Sequence, residues 1–205
     1  MNINTTYTKI ITGEDLMETA QHGSTLYPFQ FYYEDLSVFD FNCIEWHWHT
    51  ELEFIYIESG TVTLWIGEDQ FHLTEGNGIF INTKVLHRLY SPSKALIPNF
   101  VFMPSFIASC DSLIYQKYIL PIISSSLPFL VFHKKVCWQA KVLSIMRQII
   151  SAQDSVLSKE LLTSSLLQNL WLEIFENTDI SYQEEHKIIQ PLLKPGYSSC
   201  CNLSI

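Results

Sequence analysis

The sequence predicts a mainly β fold, an antiparallel barrel or sandwich followed by a helical segment. Between residues 25 and 104, short runs rich in Val, Ile, Thr, Phe, Tyr and Trp recur about every ten residues, cut by Gly, Asn and acidic turns. No helical pattern separates them, which is the texture of sandwiches and barrels rather than of alternating strands and helices. After Pro104 the apolar spacing becomes helical.

Taken in order, the aromatic lead-in Tyr27, Phe29, Phe31, Tyr32 and Tyr33 reads as a first strand, or as an arm closing over a ligand. Phe54-Ile55-Tyr56-Ile57 runs into a turn at Glu58-Ser59-Gly60, and Thr61 to Ile66 follows. Gly67-Glu68-Asp69 turns the chain into Gln70 to Leu73, and Glu75 to Gly78 leads into Ile79 to Asn82. Ser109 to Ile119 reads as a helix ending near Pro121, and Leu127 to Phe132 as a short extended piece. Val136, Ala140, Leu143, Arg147 and Ile150 mark a second helix. Leu162, Leu166, Leu170 and Ile174 mark a third, widened by Leu161, Leu167, Trp171 and Phe175. That stripe is broader than one neighbour covers, so it packs on the barrel and preceding helix or serves as a dimer face. We expect four parts: an arm over 1–24, a barrel over 25–104, a helical dimerisation segment over 105–190 and an unstructured tail over 191–205.

Composition narrows the function classes. Hydrophobic residues make up 47% of the 205 and aromatics 14%, enough for a sizeable core in one domain. Twelve Lys plus Arg against 21 Asp plus Glu leave a formal charge of −9, and the densest basic cluster is Lys134-Lys135. Autonomous nucleic-acid binding needs a basic patch, so this chain is not expected to bind DNA or RNA by itself. The five Cys fit neither a disulfide framework nor CxxC zinc spacing. The start of the chain lacks a signal peptide's basic and apolar regions, and no apolar run is long enough to span a bilayer. A cytoplasmic protein with no membrane partner is expected. Nucleophile elbows and phosphate-cradling loops are also missing from the sequence.

The chemistry concentrates in Glu45-Trp46-His47-Trp48-His49-Thr50-Glu51-Leu52-Glu53, with His87 further on. On a strand His47 and His49 share a face, and Trp46 and Trp48 take the other. A turn at Thr50-Glu51 prevents carrying that parity to Glu53. Three imidazoles and a carboxylate suit Zn, Mn, Fe or Ni. The competing reading is that the four groups bond to one another, to backbone or to water. Trp46, Trp48 and Trp65 offer faces for stacking a sugar or aromatic effector, or they pack structurally. His22, His72, His133 and His186 show no partner spacing and are assigned no site.

His47-x-His49-x3-Glu53-x6-Gly60 resembles the first motif of the cupin superfamily, with Phe41 standing at its leading glycine. Gly76 and His87 are similar to the second motif, although Thr74 replaces its proline and Ser91 its asparagine. The resemblance implies a small, jelly-roll-like cupin barrel whose metal ligands would be His47, His49, Glu53 and His87.

The order of Glu53 to Ile57, Gly60, Leu73-Thr74-Glu75-Gly76, Leu86-His87, Tyr118 to Pro121 and Trp138, then two amphipathic helices, resembles the sensory domain of AraC-type transcription regulators. In that family the barrel binds a small effector and the helices dimerise. Many members use the His and Glu positions as polar pocket lining without metal. The resemblance implies ligand contacts at His47, His49, Glu53, His87 and Trp65, a small-molecule effector such as a sugar, and a homodimer. Family members continue into two helix-turn-helix motifs. This chain stops at Ile205 with nothing like them. The expectation is a non-enzymatic effector-sensing domain truncated before its DNA-binding part, with DNA reached only through that missing part. The alternative is a stand-alone metal-dependent cupin enzyme, an isomerase or dioxygenase.

Overall fold

The structure is a computed structural model that describes residues 8–178. Among them, the strands are β1 (Phe29–Asp35), β2 (Cys43–His47), β3 (Leu52–Tyr56), β4 (Thr61–Ile66), β5 (Asp69–Thr74), β6 (Gly78–Ile81), β7 (His87–Tyr90), β8 (Leu96–Phe102) and β9 (Phe129–Phe132). They form two antiparallel sheets, β1-β8-β3-β6-β9 and β2-β7-β4-β5, the mainly β cupin barrel expected. The helices are α1 (Leu120–Ile123), α2 (Cys137–Ala152) and α3 (Lys159–Asn177). Residues 191–205 lie outside the described residues.

Strand β3 explains why the sequence carries a continuous apolar run there. Leu52, Phe54 and Tyr56 join a core shared with the helices, whereas Ile55 and Ile57 belong to the core between the sheets. A strand covered on both faces has no polar side to show. The period of two places Glu53 with Ile55 on the barrel side. Phe54 stacks on Phe100 at 5.3 Å and meets Phe80 at 5.0 Å, anchoring a phenylalanine layer beneath α2 and α3.

Two glycines are fixed by close approach. Gly60 has φ +88°, and a Cβ there would lie 2.7 Å from the Lys94 carbonyl oxygen, so the turn after β3 accepts only glycine. Gly78, in β6, would place a Cβ 2.9 Å from the Ile55 carbonyl and 3.0 Å from Leu143 of α2.

Three local features differ from the expectation. β2 ends at His47, because Trp48 leaves the sheet to bridge Met17 in a parallel contact. Helical winding begins at Leu113 rather than Ser109 and continues through Tyr115–Ile119 into α1, past Pro121. Residues Tyr115–Ile119 wind as a π-turn just before that proline. The wider turn relieves the ring's clash with the preceding carbonyls. The extended piece of the helical half returns to the barrel as β9, paired with β6 from Gly78↔Phe132 to Ile81↔Phe129. No helix of the described residues is long and apolar enough to cross a membrane.

Candidate functional site

The site is assembled from four chain positions. His47 ends β2 and pairs with His87 at the start of β7, their rings 4.1 Å apart. His49 lies beyond the sheet edge, with ring centroids 6.0 Å from His47 and 5.4 Å from His87. Glu53 projects from β3, its Oε2 3.3 Å from His49 Nε2 and 3.1 Å from His87 Nε2. All four side chains are buried, His87 completely. The structure thus brings together the four residues that sequence spacing singles out.

Backbone carbonyls orient the rings. His47 Nδ1 lies 2.8 Å from the Glu45 oxygen, His49 Nδ1 3.2 Å from that of Glu51, and His87 Nδ1 2.9 Å from that of Val85. We assign each Nδ1 as the N–H donor, since carbonyls only accept.

Burial shapes the charges. Burial and the neighbouring His87 hold His47 well below the ordinary histidine value, so it is neutral. For His49, burial opposes the cation, but the Glu53 carboxylate outweighs it and lifts the pKa above the usual value. Burial would raise Glu53, yet hydrogen bonds and charge from His49 and His87 carry it well below the carboxylate range. The cluster contains one carboxylate held ionised by imidazoles.

A small cavity of about 30 Å3, partly open to solvent, lies over this cluster. Tyr32 and Glu34 of β1, Ile97, Asn99 and Val101 of β8, and Ile10, Glu18 and His22 of the N-terminal arm line it beside His47, His49 and Glu53. The arm is tied to residue 48: Glu18 N–H donates to the Trp48 carbonyl at 2.9 Å, and Trp48 N–H to the Leu16 carbonyl at 3.1 Å. The Trp48 indole donates to the Asp15 carbonyl at 2.9 Å. Any shift of the arm therefore acts on the residue between the two histidines.

Sequence reasoning missed His22, which was assigned no site. It is buried, lines the cavity, and lies 5.6 Å from the His49 ring with Nδ1 2.9 Å from Tyr32 Oη. Spacing carries no signal for it, because the arm reaches the cavity only through tertiary folding. Trp65 sits elsewhere, on the face of β4 opposite the core residues Leu64 and Ile66, beneath Arg88 at 5.0 Å. It is not among the cavity-lining residues, and its ring serves an Arg88–Glu45 pair.

The residues fit a metal ion on the structure's own terms. One ring nitrogen from each of His47, His49 and His87 lies within 4.8 Å of the others. With each Nδ1 engaged by a carbonyl, the Nε2 lone pairs are the available ligands, the orientation such carbonyl contacts give metal-binding imidazoles. His87 Nε2 is buried and faces Glu53 Oε2 at 3.1 Å. A divalent ion would displace the proton shared between His49 and Glu53.

Comparison with known proteins agrees with this architecture. The AraC-like ligand binding domain family matches residues 30–171. A curated relative, the "Uncharacterized HTH-type transcriptional regulator YdeC" of Bacillus subtilis (strain 168), is 25% identical over 143 residues, covering 68% of this chain and 48% of that protein. The chain thus spans about half the length of the curated relative it matches. Among solved structures, ToxT from Vibrio cholerae is similar in fold with TM-score 0.51 at 15% identity, over 76% of this chain and 58% of that one. The apo K231A form of ToxT from V. cholerae strain SCE256 gives 0.50 at 10% identity, over 77% and 58%. With its family match extending over more than half its length, the chain belongs to the AraC-like ligand-binding domain family.

Proposed function

We propose that the barrel cavity is the sensor site of a cytoplasmic AraC-type transcription regulator, and that residues 8–24 act as the arm over it. The observation that carries this reading is the convergence of His22, Glu18 and the His47–His49–Glu53 cluster on one cavity in a ligand-binding-domain chain. A small molecule in the cavity favours one position of the arm, to the extent that it binds the two states differently. DNA binding belongs to a helix-turn-helix part of the kind named in the relative, outside this chain.

Helix α3 supports a homodimer. Leu161, Leu162 and Leu172 are exposed on it, and Val156 and Leu157 are exposed in the loop before it. In the division we propose, residues 25–104 together with β9 form the barrel, and helices α2 and α3 serve dimerisation.

A metal such as Zn, Mn, Fe or Ni would be held by His47, His49 and His87 with Glu53 beside them, supplying a Lewis-acidic centre to the cavity. The same cluster is what favours a metal-dependent enzyme as the second reading. The family match, to a ligand-binding domain, favours sensing.

The test is a small-molecule screen for changes in melting temperature and sedimentation. The sensing reading expects compounds that shift both. A library in which no compound shifts either, together with turnover by metal-loaded protein, would establish the enzyme instead.

A further inference from the structure

Resting on the reading of the cavity as an effector site, we propose that its ligand is a small organic cation, an amine or guanidine received by Glu18 and Glu34. Among the described residues the lining includes three carboxylates, those of Glu18, Glu34 and Glu53, and neither Lys nor Arg. Glu53 is engaged by His49 and His87. The other two act elsewhere in the cavity. On β8, Glu53 is in register with Val101, whereas Glu34 is in register with Ile97, so they stand toward opposite ends.

Between those ends the lining offers acceptors. Asn99 Nδ2 donates to Glu34 Oε2 at 2.8 Å and to the Ile97 carbonyl at 3.2 Å, so both its amide hydrogens are in use. His22 supplies the second observation. Its side chain is 4% exposed and its Nε2 lies 3.3 Å from Glu18 Oε2, yet that nitrogen makes no hydrogen bond. We assign the His22 proton to Nδ1, donating to Tyr32 Oη, which leaves the Nε2 lone pair beside the Glu18 carboxylate as a second acceptor. A buried unsatisfied acceptor is costly, and an N–H-rich cation placed there satisfies both. The Tyr32 phenol beside them reports the same field, held well above its usual pKa by burial and by Glu18, Glu34, Glu53 and Glu51.

A carboxylate or phosphate ligand would meet the carboxylates of Glu18 and Glu34, with no Lys or Arg among the described lining residues. The sugar expected from the sequence loses its stacking argument, because Trp65 lies outside the cavity.

The experiment compares three ligands of one length on the full, chelator-treated chain: butane-1,4-diamine, butane-1,4-diol and butanedioate, each by calorimetry and melting temperature. The diamine is expected to bind and raise the melting temperature, with the other two weaker by about tenfold or more. Glu18→Gln, on the arm and away from the folding core, should remove most of that advantage, and Glu34→Gln likewise. Equal or tighter binding of the diol or the dianion overturns the cation assignment while the effector-site reading stands. Silence from all three also overturns it, and the library screen then decides the broader reading separately.

Discussion

Phe41 holds a left-handed backbone, φ 57° and ψ 23°, that glycine adopts without strain, and its side chain is 90% exposed. It stands where the cupin motif has glycine. The left-handed region costs a non-glycine residue about 1–2 kcal/mol, against about 0.5–1 kcal/mol for glycine's extra unfolded-state freedom. We predict that Phe41→Gly stabilises the chain by about 0.5–1 kcal/mol in urea melts; a destabilisation of that size would contradict the strain. Asp35 gives a pH signature. Its burial would raise its pKa, but the Ser37 hydroxyl and amide and the Lys94 ammonium, 3.4 Å away, carry it below the ordinary value. A depressed folded pKa contributes stability that is present above the unfolded value, about 3.9, and is lost as pH falls through the folded one. Asp35→Asn should therefore flatten the stability loss below about pH 4 and cost about 1 kcal/mol at neutral pH. At this scale His47, His49, Glu53 and His87 were legible in the sequence, since strand parity and motif spacing tie them together. His22, Glu18 and Asn99 were not, because their approach is set by the arm and by strand β8, far away in the chain.

Elements were legible where local period determines them, and obscure where pairing does. The apolar runs of β3 and β6, the alternation in β4 and β5, and the stripes of α2 and α3 appear directly in the sequence. The extended piece of β9 was visible too, but its place beside β6 depends on a contact some fifty residues away. Gly78 marks that junction, where α2 lies on the sheet. Gly78→Ala should cost about 1–3 kcal/mol, because the backbone oxygen of Ile55 cannot move aside for a Cβ. Retained stability in a chemical melt would mean that α2 packs elsewhere. Helix α3 divides its apolar residues between two uses. Leu167, Leu170, Trp171 and Ile174 are buried, while Leu161 and Leu172 are exposed. Leu161→Glu with Leu172→Glu should abolish self-association in sedimentation and leave the melting midpoint within about 0.5 kcal/mol of the parent. A dimer that survives the pair places the interface elsewhere.

At the scale of the molecule, two cores meet at one five-stranded sheet. One face of that sheet carries the helices, and the other carries the cavity with its histidine–carboxylate cluster. The arm closes the cavity and is hydrogen-bonded at Trp48, between His47 and His49. Ligand, arm and cluster are thus joined by one short stretch of backbone. The account stands most directly on a single binding comparison, in which the stabilising compound found by screening is titrated into the wild type, Glu53→Gln and Trp65→Ala. Affinity should fall by about tenfold or more in Glu53→Gln and stay unchanged in Trp65→Ala. Binding that survives Glu53→Gln and is lost in Trp65→Ala would move the site to the outer face of the small sheet and contradict the account.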